Sequence, residues 1–193
     1  MSSSDKRKTR RESRPTSAEA VAAIHAQWQQ ERPDIDPGPV WVYGLLGRVQ
    51  LEGTQLINRA LAPLGLTRPS YDVLTALRRA GPPYALTPKQ IARSLLLSGS
   101  GLTSRINTLE EKRLVARMPE PSDRRTHAVQ LTLEGLSVVD RAIPLVFEVQ
   151  RQSLEGLGEA ETRALVEALR QVSGRLAEIE AEAAEAAGAE GSG

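Results

Sequence analysis

The sequence predicts a mainly α-helical fold that contains one small β-hairpin. Three observations support this prediction. Amphipathic helical patterns follow one another along most of the 193 residues. Two short helices near the middle are separated by a tight turn, and a stretch with strand-like alternation comes directly after them. Helix, turn, helix and hairpin in this order make a winged helix-turn-helix, and the chain length fits one such domain with extensions.

The N-terminal part is predicted to hold two helices joined by a stiff connector. Residues 1–15 are basic and offer almost nothing to bury, so we expect a disordered arm. Apolar residues spaced three and four apart predict an added N-terminal helix over residues 16–32. Three prolines follow within eight residues, and helical spacing then resumes over residues 40–62.

The centre of the chain, residues 66–133, is predicted to form the winged lobe. Thr67 or Ser70 is expected to cap its first helix. Thr87 followed by proline is a helix start signal, and Gln90 stands three residues later, where it completes a capping box. This first short helix of the helix-turn-helix is expected to end at about Leu96.

The second helix of the helix-turn-helix is expected to begin at a cap, Ser98 or Ser100, and to end at about Arg113. The pattern then changes from a helical period to alternation. Two strands are predicted over residues 114–118 and 126–133, with a charged tip between them.

The C-terminal part is predicted to form two further helices. The first runs from about Glu134 to Leu154 and contains Pro144, a predicted kink. The second runs over residues 159–187 and carries apolar residues at alternating spacings of four and three, typical of helix pairing. These residues are Leu165, Leu169, Val172, Leu176 and Ile179. Residues 188–193 are expected to be a disordered tail.

Charge is distributed unevenly, although the formal net charge is only +1. Residues 68–125 contain eleven basic and five acidic side chains, whereas residues 155–193 contain nine acidic and three basic ones. A basic centre predicts contact with a polyanion, and a solvated basic face is the alternative.

Composition excludes several classes of protein. The chain has no cysteine and only two histidines, His25 and His127. Disulfides, thiolate catalysis and cysteine-rich metal sites are therefore excluded, and no cofactor or metal is expected. No arrangement of nucleophile, base and orienting group is visible, so we do not expect an enzyme. With neither a secretory signal nor an apolar spanning segment, the expected location is cytoplasmic.

The second helix of the helix-turn-helix is predicted to contact double-stranded DNA. When its apolar positions face the core, short polar side chains occupy the opposite face, and such groups suit base edges and phosphates. A merely solvated helix would more often present Lys and Glu. Two arginines at the hairpin tip are suited to a narrow minor groove. The predicted DNA contacts are Ser98, Ser100, Thr103, Ser104, Asn107, Thr108, Arg124 and Arg125.

Three segments resemble the MarR family of bacterial transcription regulators: Leu109–Val115, Pro121–Arg125 and Val129–Gly135. The resemblance covers about residues 40–180. It implies a winged-helix homodimer that binds a pseudo-palindromic operator and is released by small molecules. It also implies that helices 40–62 and 134–187 form the dimer interface, which agrees with the heptad spacing near the C-terminus.

A finer resemblance is to the urate-responsive branch typified by HucR and PecS, which carries an added N-terminal helix. It implies that Trp28, Asp72, Arg105 and Arg117 bind urate, a related purine or another small organic anion. Two positions depart from the family pattern. Ser104 stands where some members have asparagine, a difference that could alter ligand or operator choice, and Arg113 replaces a frequent glycine.

Alternatives remain for these assignments. Arg105 flanks the inner face of its helix and needs a carboxylate, a carbonyl or an anionic ligand. An Arg105 ion pair with Asp72 that braces the domain is one alternative to a ligand pocket. Taken alone, a tryptophan such as Trp28 is more often a core or dimer anchor than a stacking platform for a ligand. For the whole protein, the alternative is an architectural DNA-binding protein without an effector.

Overall fold

The computed structural model describes residues 16–95, 101–120 and 123–190, of which residues 120, 123–126 and 188–190 are described by their backbone alone. The elements are α1 (Ser17–Glu31), α2 (Pro39–Leu61), α3 (Arg68–Arg79), β1 (Ala85–Leu86), α4 (Pro88–Ser94), α5 (Leu102–Glu111), β2 (Val115–Glu120), β3 (Asp123–Leu131), α6 (Leu133–Ser153) and α7 (Glu159–Glu190). The predicted fold class, mainly α with a winged helix-turn-helix, is confirmed. The predicted arm over residues 1–15 and residues 191–193 of the predicted tail lie outside the described part. Residues 188–190 were also predicted as disordered tail, and this was wrong, because α7 continues to Glu190.

The added N-terminal helix begins where the sequence places it. The Thr16 side chain accepts a hydrogen bond from the Glu19 amide, and the Glu19 carboxylate accepts one from the Thr16 amide, so α1 starts with a capping box. Val21 is buried against α2. A Cβ on Gly44 would lie 3.0 Å from the methyl carbons of Val21. Glycine at this position therefore allows α1 to lie close against α2.

The core of the winged lobe is built around α3, because six of its twelve residues are buried. Thr67 caps this helix by accepting a hydrogen bond from the Ser70 amide, which decides between the two predicted caps. Side chains from other elements complete the core. One fully buried side chain from each of α2, α4, α5, β2, β3 and α6 is, in that order, Leu61, Ile91, Leu109, Val115, Val129 and Val139.

The sheet contains a strand that sequence analysis missed. Its order is β1-β3-β2, and both pairings are antiparallel. Ala85 pairs with Gln130 and Leu86 with Val129. A two-residue strand is too short to show alternation, so it was invisible in the pattern. The wing itself, β2 and β3, follows the prediction closely, with strands that extend further toward the tip.

The start of α5 differs from the prediction. Its N-cap is Gly101, which has a positive φ of 75° and makes no side-chain cap, so the predicted serine caps were wrong. Ser98 and Ser100 themselves lie outside the described residues. The preceding helix also ends early, at Ser94, with Leu95 in an extended conformation. A left-handed glycine turn replaces a serine cap as the entry to α5.

The first part of α6 lies tightly against the start of the wing. An added Cβ on Gly135 would stand only 1.9 Å from the carbonyl oxygen of Leu114, a distance that no real side chain could occupy. The Thr132 hydroxyl donates to the Arg113 carbonyl at 2.7 Å and accepts from the Gly135 amide at 2.9 Å. The helix continues past Pro144 to Ser153.

The chain divides into two compact units between Val146 and Phe147. In the second unit, most of the apolar residues that recur on α7 at spacings of four and three are exposed, including Leu165, Leu169, Leu176 and Ile179. None of the described helices combines the length and the apolar character needed to cross a bilayer. The described residues also contain no group of three or more His, Cys, Asp and Glu side chains placed to hold a metal ion.

Candidate nucleic-acid interface

The helix-turn-helix consists of α4 and α5. The predicted capping box is present at α4: Thr87 accepts from the Gln90 amide, and the Gln90 side chain accepts from the Thr87 amide at 2.8 Å. On α5 the apolar positions that were expected to face the core, Leu102, Ile106 and Leu109, are buried. Burial of this stripe fixes which face of α5 is turned away from the core.

The outward face of α5 carries four of the predicted DNA contacts. Thr103, Ser104, Asn107 and Thr108 are all exposed. The Thr108 hydroxyl donates to the Ser104 carbonyl at 3.0 Å, so its oxygen retains lone pairs that can accept from a ligand. The other two predicted contacts of this region, Ser98 and Ser100, are not described. The four described residues form a polar strip of short side chains.

Arg117 on β2 joins the wing to α5. Its Nη2 donates to Oδ1 of Asn107 at 2.6 Å, and its Nη1 forms an ion pair with the Glu110 carboxylate. Asn107 and Glu110 are three residues apart and therefore share one flank of the helix. The guanidinium, whose donors have a fixed fork geometry, holds both side chains at once. Sequence analysis named Arg117 as a ligand residue and missed this bridge.

The two arginines predicted at the wing tip, Arg124 and Arg125, belong to β3. Their side chains lie outside the described part, so their DNA contacts stay a prediction. The backbone of the tip is closed by the pairing of Glu120 with Asp123, after a register shift that follows Pro119.

Three cations near the helix-turn-helix were not among the predicted contacts. Lys89 and Arg93 are exposed on α4, and the Nζ of Lys112, just after α5, donates to the Gly65 carbonyl at 2.6 Å. The sequence already contained a pattern that places Lys89 and Arg93 on the outside of α4. Thr87 caps a short helix whose buried Ile91 leaves Lys89 and Arg93 outside, where they suit phosphate contacts.

Trp28, the predicted ligand residue on α1, lines a cavity of about 240 Å³ between α1 and α2. The walls come from the end of α1, the proline-rich connector and the start of α2. They are Trp28, Arg32, Ile35, Asp36, Pro37, Pro39 and Val40. Arg32 is held by two hydrogen bonds from its guanidinium to Asp34, at 2.8 and 2.7 Å. This ion pair lowers the pKa of the Asp34 carboxyl.

Asp72 pairs with a different arginine from the one considered in the sequence. The Nε of Arg68 donates to Oδ1 of Asp72 at 2.7 Å, one helical turn earlier on α3, and both side chains are largely buried. Among the described residues no ion pair joins Asp72 to Arg105. The alternative of an Arg105 to Asp72 brace is therefore wrong. Next to this pair, burial raises the pKa of the Tyr71 phenol.

The four predicted ligand residues lie on four different elements, α1, α3, α5 and β2. At about 100° per residue, Arg105 lies on one flank of α5, and the side chains that hold Arg117 lie on the other. Within the part of the chain that the structure describes, no hydrogen bond or ion pair connects any two of the four. A common ligand pocket among them stays a prediction.

Comparison with known proteins identifies the family. The MarR family model matches residues 64–126, which contain the helix-turn-helix and most of the wing. The transcriptional regulator PecS of Dickeya dadantii is 38% identical over 141 residues, which cover 73% of this chain and 85% of that protein. The chain belongs to the MarR family. The similarity to PecS supports the predicted PecS-like branch.

Solved structures of MarR-family proteins agree with this assignment. A mutant of Escherichia coli MarR, in complex with operator DNA, is 25% identical with a TM-score of 0.62, over 75% of this chain and 96% of that one. BpsR of Bordetella bronchiseptica, whose DNA binding is regulated by 6-hydroxynicotinic acid, is 27% identical with a TM-score of 0.60, over 68% of this chain and 98% of that one. This MarR-family chain is accordingly a DNA-binding transcriptional regulator and not an enzyme.

Proposed function

We propose that this MarR-family regulator is a ligand-responsive repressor. In this proposal a homodimer binds a pseudo-palindromic operator, and a small anion such as urate or a related purine releases it. The observation that carries the proposal is the bridge from Arg117 to Asn107 and Glu110, because it ties the helix expected to enter the major groove to a cation expected to meet the ligand.

DNA contact is supported by the chemistry of α5. Its outward face carries hydroxyl and amide groups, which donate to and accept from base edges and phosphates. Lys89 and Arg93 on α4 add positive charge at the same helix-turn-helix. The similarity to a MarR structure that contains operator DNA supports the same mode of binding.

Homodimer formation is supported by apolar side chains that the single chain leaves exposed. On α7 they recur with the heptad spacing that lets two helices pair. On α2 they include Trp41, Tyr43 and Val49. Exposed apolar patches of this kind usually mark an interface. A dimer would hold two α5 helices about 34 Å apart, one turn of DNA.

The proposed ligand site uses Trp28, Asp72, Arg105 and Arg117. Trp28 offers an aromatic face beside an apolar cavity, and a planar purine anion could stack there. Arg105 and Arg117 supply positive charge. Because no hydrogen bond or ion pair joins any two of the four residues in the described part of the chain, this proposal requires the second protomer or the ligand itself to connect them.

Release would follow from competition for the guanidinium of Arg117. An anion that binds this group competes with Glu110 and Asn107, and the α5 face that meets DNA would then lose its support. A ligand shifts such an equilibrium only as far as its affinities for the two states differ. If Arg117 binds either the ligand or the pair Glu110 and Asn107, but not both, the ligand has different affinities for the two states.

The test is fluorescence anisotropy of the dimer on its operator, with urate added. We expect urate to release wild-type protein, and we expect Arg105→Ala and Trp28→Leu to need at least about ten-fold more urate, equivalent to about 1.4 kcal/mol. Arg170→Ala, which removes an arginine of α7 outside the proposed site, is the matched control and should respond like wild type.

Two outcomes would contradict parts of the proposal. An unchanged urate response in Arg105→Ala would exclude Arg105 from the ligand site. Operator binding that no urate, purine or organic acid weakens would leave a regulator without this effector. Urate release that depends on Trp28 and Arg105 in one double-mutant cycle would support a shared site.

A further inference from the structure

Arg78, near the end of α3, contacts two other parts of the fold at once. Its Nε donates to Oδ1 of Asp140 on α6 at 2.7 Å. Its guanidinium carbon also lies 5.1 Å from the centre of the Tyr84 ring, a distance at which a cation and an aromatic face attract each other. Tyr84 directly precedes β1. One side chain therefore joins α3, α6 and the segment that leads into β1.

Tyr84 lies at the entry to the helix-turn-helix. Its amide donates to the Gly81 carbonyl at 2.6 Å, and its carbonyl accepts from the Leu131 amide of β3 at 3.1 Å. The two residues of β1 follow, and Thr87 then caps α4. Because only a short strand, itself paired with β3, separates Tyr84 from this cap, the position of Tyr84 helps to set the position of α4.

Apolar burial and a directional bond act together at the middle of α6. Val139, Ala142 and Val146 are buried, and their spacing of three and four residues places them on one stripe of the helix. Apolar burial has no preferred direction, whereas a charge-assisted hydrogen bond has a defined geometry. The bond from Arg78 to Asp140 therefore restrains rotation and sliding of α6, which the apolar stripe restrains less.

The orientation of α6 matters because α6 belongs to the helices expected to form the dimer. Beyond its buried stripe it carries apolar side chains that the single chain leaves exposed, Leu145 and Phe147. A dimer must place its two α5 helices on the two halves of a pseudo-palindromic operator, the half-sites, about 34 Å apart. A small rotation of each winged lobe against α6 would change this separation.

We infer that Arg78 is a positioning residue that sets which half-site spacing the dimer accepts. It fixes α6 against α3 through Asp140, and it holds the entry to α4 through Tyr84. The inference rests on the proposed homodimer and operator, and it adds the residue that determines the spacing. Arg78 contacts no base in this account, so the base preference within each half-site does not depend on it.

The experiment measures anisotropy of the purified full chain on duplexes that differ only in half-site spacing. The half-sites come from the duplex that wild type selects from a random library, and their spacing is shortened or lengthened by one and two base pairs. Each base pair moves one half-site by about 3.4 Å along the DNA axis and about 35° around it. Wild type should prefer one spacing at least about ten-fold over its neighbours. Arg78→Met and Asp140→Ala should each reduce this preference at least about three-fold, with base preference within the half-sites unchanged.

Conservative variants separate a positioning role from a merely structural one. Arg78→Lys keeps a cation for Asp140, and Tyr84→Phe keeps the aromatic face, so both should retain most of the spacing preference. Tyr84→Leu removes that face and should reduce the preference. The double variant with Arg78→Met and Asp140→Ala should lose no more than either single variant, because both changes break the same bond.

The matched control is Asp34→Ala, which breaks an exposed ion pair with Arg32 in the connector between α1 and α2. It should keep the spacing preference of wild type. Thermal melting is recorded for every variant. Because partly exposed ion pairs contribute little to stability, Arg78→Met and Asp140→Ala should change the melting temperature by less than about 4 °C.

Failure of this inference is distinguishable from failure of the proposed function. An Arg78→Met protein that keeps the spacing preference of wild type would overturn the inference and leave the operator-binding dimer intact. A loss of spacing preference with an equal loss of base preference, or with a larger fall in melting temperature, would also overturn it, because the whole lobe would then be damaged. A library from which wild type selects no paired half-sites would overturn the proposed dimeric operator binding itself.

Discussion

Arg68 donates a hydrogen bond from Nε to the Asp72 carboxylate at 2.7 Å, and both side chains are more than four-fifths buried. The aspartate that sequence analysis considered as a partner of Arg105 is thus already paired within its own helix. Because a largely buried carboxylate needs a partner, this pair stabilises the start of α3 next to buried Tyr71.

A double-mutant cycle measures this pairing. We expect Asp72→Asn to lower the free energy of unfolding by about 1–3 kcal/mol, since it leaves the Arg68 charge largely buried and unpaired. The coupling energy between Arg68→Met and Asp72→Asn in urea unfolding should be clearly above zero. Arg105→Met combined with Asp72→Asn is the control cycle and should be additive within about 0.5 kcal/mol. Coupling only in the control cycle would contradict the assignment.

Gly135→Ala should be strongly destabilising, by about 3 kcal/mol or more, because its Cβ would stand 1.9 Å from the Leu114 carbonyl oxygen. The Cβ is attached to the backbone of α6 and the atom it meets belongs to the backbone at Leu114, so neither group can move easily to relieve the clash. Gly174→Ala is the matched control: nothing lies within 4 Å of its added Cβ, and alanine favours a helix by about 0.5–1 kcal/mol. Urea unfolding at equal protein concentration should therefore give changes of opposite sign. Equal effects would mean that α6 does not cross the wing this closely.

Arg113→Gly should stabilise the fold by about 1 kcal/mol. Arg113 adopts a φ of +59°, a conformation that side chains with a Cβ avoid and glycine accepts. Arg113 replaces a glycine that is frequent in the family pattern, and its backbone conformation is one that favours glycine. Thermal and urea unfolding of the variant test this. A loss of stability would show that contacts of the arginine side chain outweigh the backbone preference.

The sequence was sufficient for the helices and the wing because each has a strong local signal. The capping box of Thr87 with Gln90 was predicted from the sequence, and the buried stripe of α5 follows helical periodicity. The box of Thr16 with Glu19 has the same spacing but was not predicted. Gly101 was missed as the cap of α5, because a left-handed glycine turn competes with nearby serines that look like better caps. Strand β1 was missed because two residues are too few to show the alternation of apolar and polar residues that predicts a strand.

Partners across the fold were harder to predict than elements. The ion pair of Asp72 with Arg68 is local, four residues apart on one helix, and could have been inferred from helical spacing. The bridge from Arg117 to Asn107 requires β2 to return beside α5, and its register is set by pairing with β3. No local pattern specifies which of several polar side chains on α5 an arginine of the wing will reach.

The two capping boxes predict different responses to acid. In α1 the backbone and side chain of Thr16 donate to Glu19, and these hydrogen bonds lower the pKa of its carboxyl. Stability from a lowered pKa is complete above the unfolded value and is lost as the pH falls through the folded value. We therefore expect the start of α1 to loosen in acid below about pH 4.5. The box of α4 uses Gln90, which does not titrate, and should not follow this curve.

Hydrogen exchange with mass spectrometry, corrected for intrinsic rates, measures this difference between α1 and α4. Glu19→Gln retains an acceptor for the Thr16 amide and should remove the pH dependence at α1 between about pH 3 and pH 6. A pH response that persists in Glu19→Gln would assign it to another group.

The central claim is that this MarR-family chain reads DNA sequence through α5 and the wing. The direct test is anisotropy on its operator against random duplex, at about 150 mM salt, where charge alone binds weakly. We predict a preference of about 10³-fold or more for the operator and a loss of most of it when Ser104 and Asn107 are both changed to alanine. Equal affinity for operator and random duplex, with steep salt dependence, would contradict the claim and favour an architectural DNA-binding protein.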